Sequence, residues 1–138
     1  MCLTGNFALS MMVDPSVMAP VLSQPSLPLP ILPGGRAALH ISDAELETVR
    51  RRTQEGCGLL AMRFTHDRLV PAARFERLRQ ELGDGVETIE IDSWPGNPWG
   101  LSRMAHSVVT NDLVDEAGHP TRAALDRVLA LFRERLMA

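Results

Sequence analysis

The segment Gly58-Leu-Leu-Ala-Met-Arg-Phe64 restricts the fold of this chain more than any other stretch. A near-continuous apolar run of that length, followed by the turn Thr65-His-Asp-Arg68, reads as a β-strand buried on both faces. Such strands belong to parallel sheets with helices packed on either side, so helical patterns should flank it. Upstream, Ser42-Asp-Ala-Glu45 is a capping box that opens a helix to about Glu55, with Gly56 as the stop. Downstream, Pro71 at the first helical position starts a helix through Leu82. Phe75, Leu78 and Leu82 share one of its stripes, and Gly83-Asp-Gly85 closes it.

The remaining segments extend this alternation. Thr4–Val13 has helical composition, with Thr4 or Gly5 as cap and Asp14-Pro15 as terminator. Met18-Ala-Pro-Val-Leu-Ser23 predicts a short strand in which Pro20 prefers the first residue or an edge. Val86–Ile91 alternates as a strand with one wet face. Ser93–Gly100, rich in Pro and Gly, is loop, and His106–Leu113 is a short helical turn. Thr121 caps a last helix carrying Leu125, Val128, Leu129, Phe132 and Leu136. Within 24–41, the Pro-rich part from Gln24 to Gly35 reads as an extended loop lying on the body, because its Leu and Ile residues need a surface to cover. The expected fold is α/β, a single unit over 1–138 with about three mainly parallel strands alternating with helices. Three strands make a thin sheet for two covered faces, so further strands would be expected before residue 1.

Composition narrows the function classes. The 138 residues are 45% hydrophobic and 22% charged, enough apolar material for a real core. A net charge of −3 gives no electrostatic footprint for nucleic acid or an anionic membrane. Two Cys cannot build a disulfide scaffold, and reduced thiols suit a cytoplasmic protein. The apolar start Met1–Val13 has no preceding Lys or Arg, and it falls short of the roughly 20 residues a membrane span needs. No Cys-x-x-Cys or His-x-x-x-His spacing exists, so neither a metal nor another cofactor is expected.

In an open α/β sheet, ligands gather beyond the C-terminal ends of the strands. Asp67 falls in the turn after the second expected strand and His106 in the long loop after the third. Cys2 precedes the first helix, where a further strand would end. The order Cys, Asp, His is nucleophile, acid, base, the chain order of α/β-hydrolases. A thiolate at a helix N-terminus gains from the helix dipole, His can shuttle the thiol proton, and a carboxylate on the second ring nitrogen fixes the tautomer. The amide of Leu3, next after the nucleophile, would supply one oxyanion donor.

Met1-Cys-Leu-Thr-Gly-Asn-Phe-Ala-Leu9 resembles the nucleophile elbow of the dienelactone hydrolase family, where Cys replaces the usual Ser. Val21-Leu-Ser-Gln-Pro-Ser-Leu27, Arg63-Phe-Thr-His-Asp67 with Val70-Pro71, and Ala105-His-Ser-Val-Val-Thr110 resemble the same family. The resemblance spans nearly the whole chain but only the C-terminal half of the family's domain. It implies a partial α/β-hydrolase fold lacking the N-terminal half of the sheet, and a Cys2–Asp67–His106 triad that cleaves an ester or lactone. Thr4 stands where many members have Gly, and the elbow's leading Gly, the second oxyanion donor and the upstream substrate contacts would all precede Met1. The alternative is a truncated, non-catalytic remnant, or an association module that completes its sheet with a partner chain, with the unpaired edge as the place where a homo-oligomer would form.

Other residues carry plainer expectations. Cys57 reads as a small core residue, His66 as solvated, and His119 as part of the cap of the last helix. Trp94 and Trp99 either line a pocket or pin their loop. Arg50-Arg51-Arg52 reads as the solvated face of a helix among Glu45, Glu47 and Glu55.

Overall fold

The computed structural model describes residues 1–31 and 33–137; Leu32, inside the Pro-rich loop, and Ala138 lie outside the described residues. Three strands form one sheet: β1 (Val21–Ser23), β2 (Leu59–Phe64) and β3 (Val86–Ile91), in the order β1-β2-β3. Both pairings are parallel, with Ser23 opposite Met62 and Phe64 opposite Ile91, so all three C-terminal ends lie on one edge of the sheet. The helices are α1 (Phe7–Met11), α2 (Asp43–Gln54), α3 (Ala72–Leu82) and α4 (Pro120–Leu136).

Every residue of β2 is buried, as its apolar run predicts, and its pleat divides the core in two. Leu59 and Ala61 face Leu9 of α1 and Met12 just after it, Leu46 and Val49 of α2, and Phe75, Leu78 and Leu82 of α3. Leu60, Met62 and Phe64 face the other way, onto Ala105, Val108 and the α4 residues Ala124, Val128 and Leu131. The crossovers that join β1 to β2 and β2 to β3 carry α2 and α3 to one face, because the strand order advances without reversing. α4 covers the opposite face.

Local chemistry sets the element ends, and in several places it shifts the predicted ones. The capping box is complete: Ser42 Oγ accepts from the Glu45 amide at 3.3 Å, and Glu45 Oε2 accepts from the Ser42 amide at 2.9 Å. The helix predicted over Thr4–Val13 is instead a 3-10 turn at Cys2–Thr4 followed by α1. The break falls at Gly5, where a Cβ would lie 2.7 Å from Pro25 Cα and 3.1 Å from the Ser23 carbonyl, so backbone packs directly on backbone. Pro71 is the N-cap of α3, not its first helical residue. The cap of α4 is His119, whose Nδ1 accepts from the Thr121 amide at 3.3 Å, while Pro120 takes the first turn. Thr121 is thus inside the helix, and its hydroxyl instead accepts from the Val114 amide at 3.0 Å.

β3 also departs from the predicted strand with one wet face. Each of its faces carries one Glu held by Arg from the helix covering it. Glu87 meets Arg127 of α4 at 2.9 Å, and Glu90 meets Arg63 of β2 at 2.7 Å and Arg79 of α3 at 2.9 Å. Burial alone would raise the Glu90 pKa, but the two guanidiniums outweigh it and hold the carboxyl below its ordinary value. The Arg triplet of α2 is not a uniformly solvated face either. Arg50 bridges Glu47 and Glu81, and Arg52 reaches the carbonyls of Met12, Asp14, Pro15 and Val17 and so ties the segment after α1 to α2; only Arg51 of the three remains largely exposed. Cys57 is half-buried against the core, beside Arg52, as its small-core reading anticipates. Among the described residues no helix is long and apolar enough to cross a membrane.

Candidate active site

The loops beyond the C-terminal edge of the sheet converge on one point. The turn after β2 carries Asp67, whose side chain is 5% exposed, and whose Oδ1 accepts from the Leu69 amide at 2.9 Å. That bond closes an Asx turn and leaves Oδ2 to face the loop after β3. There it meets His106 Nδ1 at 2.6 Å. His106 Nε2 in turn lies 3.1 Å from Cys2 Sγ. The structure therefore brings Cys2, His106 and Asp67 into one hydrogen-bonded chain, from three segments that are far apart in sequence. With Nδ1 donating to the carboxylate, Nε2 is the nitrogen left to exchange a proton with sulfur.

Asp112 sets the position of His106. One of its carboxylate oxygens, Oδ2, accepts from the His106 amide at 2.9 Å and from the Ser107 amide at 2.8 Å. This bond pair folds 106–113 into successive turns in place of the predicted helical turn. Cys2 is held just as locally. Its φ of 54° is left-handed, a conformation that is strained for a side-chain-bearing residue. Its carbonyl accepts from the Gly5 and Ser26 amides at 2.9 and 3.1 Å, and the Ser26 hydroxyl lies 3.8 Å from its sulfur.

The electrostatics follow from these contacts. The hydrogen bond from His106 lowers the Cys2 thiol pKa most; partial burial opposes it, and the Ser26 hydroxyl and Leu3 amide lower it further. Burial of the His106 ring disfavours its charged form, but hydrogen bonds to Cys2 and Asp67 outweigh this and raise its pKa. Both shifts favour a thiolate–imidazolium pair. The 3-10 turn and the five-residue α1 are too short for much of the helix-dipole assistance expected at Cys2, so the individual donors supply the effect.

A cavity of about 270 Å³ opens beside the His106–Asp67 end of the chain of three, lined by these two residues and by Arg68, Leu69, Arg103 and Met104 among others. A second hollow of about 590 Å³ adjoins it and is bordered by Ile31, Arg36, His66 and Trp94. His66 is not simply solvated: it packs edge-on against Trp94 with ring centroids 4.3 Å apart. Trp99 packs the same way on His119 at 5.8 Å. The two indoles thus pin the 93–100 loop, and Trp94 also walls the second hollow. No group of three or more potential metal ligands occurs among the described residues.

Sequence reasoning passed over Ser26 and Asp112. Ser26 could have been found by the rule that singled out Asp67 and His106, since it too lies just past the C-terminal end of a strand. Asp112 had no comparable signal, because its role depends on two amides presented by a turn. In comparisons with known proteins, no family model matches the chain, and no curated protein or solved structure matches it.

Proposed function

We propose that this protein is a hydrolase of esters or lactones acting through a Cys2 acyl-enzyme, in the manner of the dienelactone hydrolases that its motifs resemble. The observation that carries the reading is the continuous hydrogen-bond chain Cys2–His106–Asp67 beside an open cavity. The Cys2 thiolate attacks the ester carbonyl carbon, forming a carbon–sulfur bond and an oxyanion that the Leu3 amide is next to receive. As the tetrahedral species collapses, the carbon–oxygen bond breaks and the departing alkoxide takes the proton from His106 Nε2. His106 then removes a proton from water, which attacks the thioester and releases the acid and the Cys2 thiolate. Asp67 holds the ring throughout and stabilises its charged form. Arg68 and Arg103 stand exposed in the cavity wall, and neither pairs with a carboxylate among the described residues, which suits a substrate with an acidic group.

Incubation with a chromogenic acetate ester and with a simple aryl lactone, followed by peptide mapping, tests the reading. Turnover of at least one, with an acyl adduct on Cys2 that disappears in Cys2→Ala, is the expected result. No turnover, together with iodoacetamide labelling of Cys2 no faster than a free thiol, would overturn it and leave the non-catalytic alternative.

A further inference from the structure

We propose that Ser26 is a working part of this site, its hydroxyl donating to the Cys2 thiolate while its amide fixes the Cys2 carbonyl; the proposal rests on the reading of Cys2 as the nucleophile. Ser26 is fully buried, and the Cys2 sulfur at 3.8 Å is the sole hydrogen-bond partner of its hydroxyl among the described residues. A buried hydroxyl is costly unless it is paired, and a thiolate is a far better acceptor than a neutral thiol. The contact therefore favours the ionised form of Cys2, in the same direction as His106 and the Leu3 amide.

The surrounding backbone is arranged to hold Ser26 there. Just after β1, Gln24 has a φ of 38°, a left-handed conformation that no glycine relieves, and the chain turns there toward Cys2. Arg74 of α3 then fixes the segment on both sides of Ser26. Its guanidinium donates to the Pro25 carbonyl at 2.6 Å and to the Pro28 carbonyl at 2.5 Å. Two strained residues, Cys2 and Gln24, and a buried cation thus converge on one serine. A serine that only filled space would satisfy its hydroxyl on a neighbouring carbonyl and would leave the thiol chemistry unchanged.

The experiment uses the full chain carrying Cys57→Ser, so that Cys2 is the remaining thiol, and follows iodoacetamide alkylation against pH. Ser26→Ala should move the alkylation profile to higher pH and slow labelling at neutral pH by about tenfold, the low end of the effect of losing one donor to a charged acceptor. Ser26→Gly, which also removes the hydroxyl without adding bulk, should move the profile the same way, whereas Ser26→Thr, which keeps the hydroxyl, should restore it toward the parent's. An unshifted profile in either the folded Ala or the folded Gly variant overturns the role of Ser26 while the nucleophile reading stands. A parent whose Cys2 already titrates like an ordinary thiol overturns both, so the two failures are distinguishable.

Discussion

Two atoms on one imidazole determine what Cys2 does. His106 Nδ1 is occupied by Asp67 and Nε2 faces sulfur, so removing the ring removes the largest influence that lowers the thiol pKa. The sign of the pH dependence follows. Cys2 is lowered and His106 is raised, so both shifts increase the share of the thiolate–imidazolium pair at pH values between the two groups' ordinary ranges. Alkylation of Cys2 should therefore rise with pH below the ordinary thiol range and be faster at neutrality than that of a free thiol. In His106→Ala the same limb should move up toward an ordinary cysteine, with labelling at pH 7 slower by about tenfold or more; stopped-time alkylation with mass detection measures both. The placement of Asp67, His106 and Cys2 together was legible in the sequence because Asp67 follows β2 closely, His106 lies in the long loop after β3, and Cys and His are chemically distinctive types. Ser26 shared the strand-end placement but not a distinctive chemistry, and Asp112 had neither, since its role depends on two amides that only the folded turn presents.

Among the elements, the loop between β1 and α2 takes four of its backbone anchors from one side chain. Arg74 is fully buried, faces no carboxylate among the described residues, and donates to the carbonyls of Pro25, Pro28, Gly35 and Ala38. Burial lowers its pKa, yet a guanidinium stays charged, and the four carbonyls replace the water it gave up. Arg74→Met fills similar space but leaves those acceptors without donors. It should cost about 3 kcal/mol in urea unfolding and also slow Cys2 alkylation, because Ser26 lies within the clamped segment. The sequence indicated that the Pro-rich stretch must lie on a surface. It did not indicate the anchor, since an Arg on a helix ordinarily points to solvent. Element types came through because capping boxes and apolar periodicity are local. Their exact ends did not, since Gly5 against Pro25 and His119 against Thr121 are decided by packing and by side-chain geometry.

For the whole molecule, the two faces of the sheet are unequally covered. α1, α2 and α3 share one face, while α4 is the one described helix over Leu60, Met62 and Phe64. Leu131, 4% exposed, packs into that second core. Leu131→Ala should lower stability by about 2–4 kcal/mol, read from a urea melt, yet leave Cys2 alkylation unchanged at low temperature, because the site lies at the other end of the strands. The site itself belongs to no single element. Its hydrogen bond from His106 to Cys2 spans 104 positions of the chain. Cys2 remains an unremarkable thiol until the loop after β3, 104 positions along the chain, has docked against it. Closing so long a span is entropically unfavourable until the sheet beneath it is assembled. Accelerated alkylation at neutral pH should thus act as a clock for that docking, silent in collapsed intermediates and switched on when the segment around Cys2 meets the loop after β3.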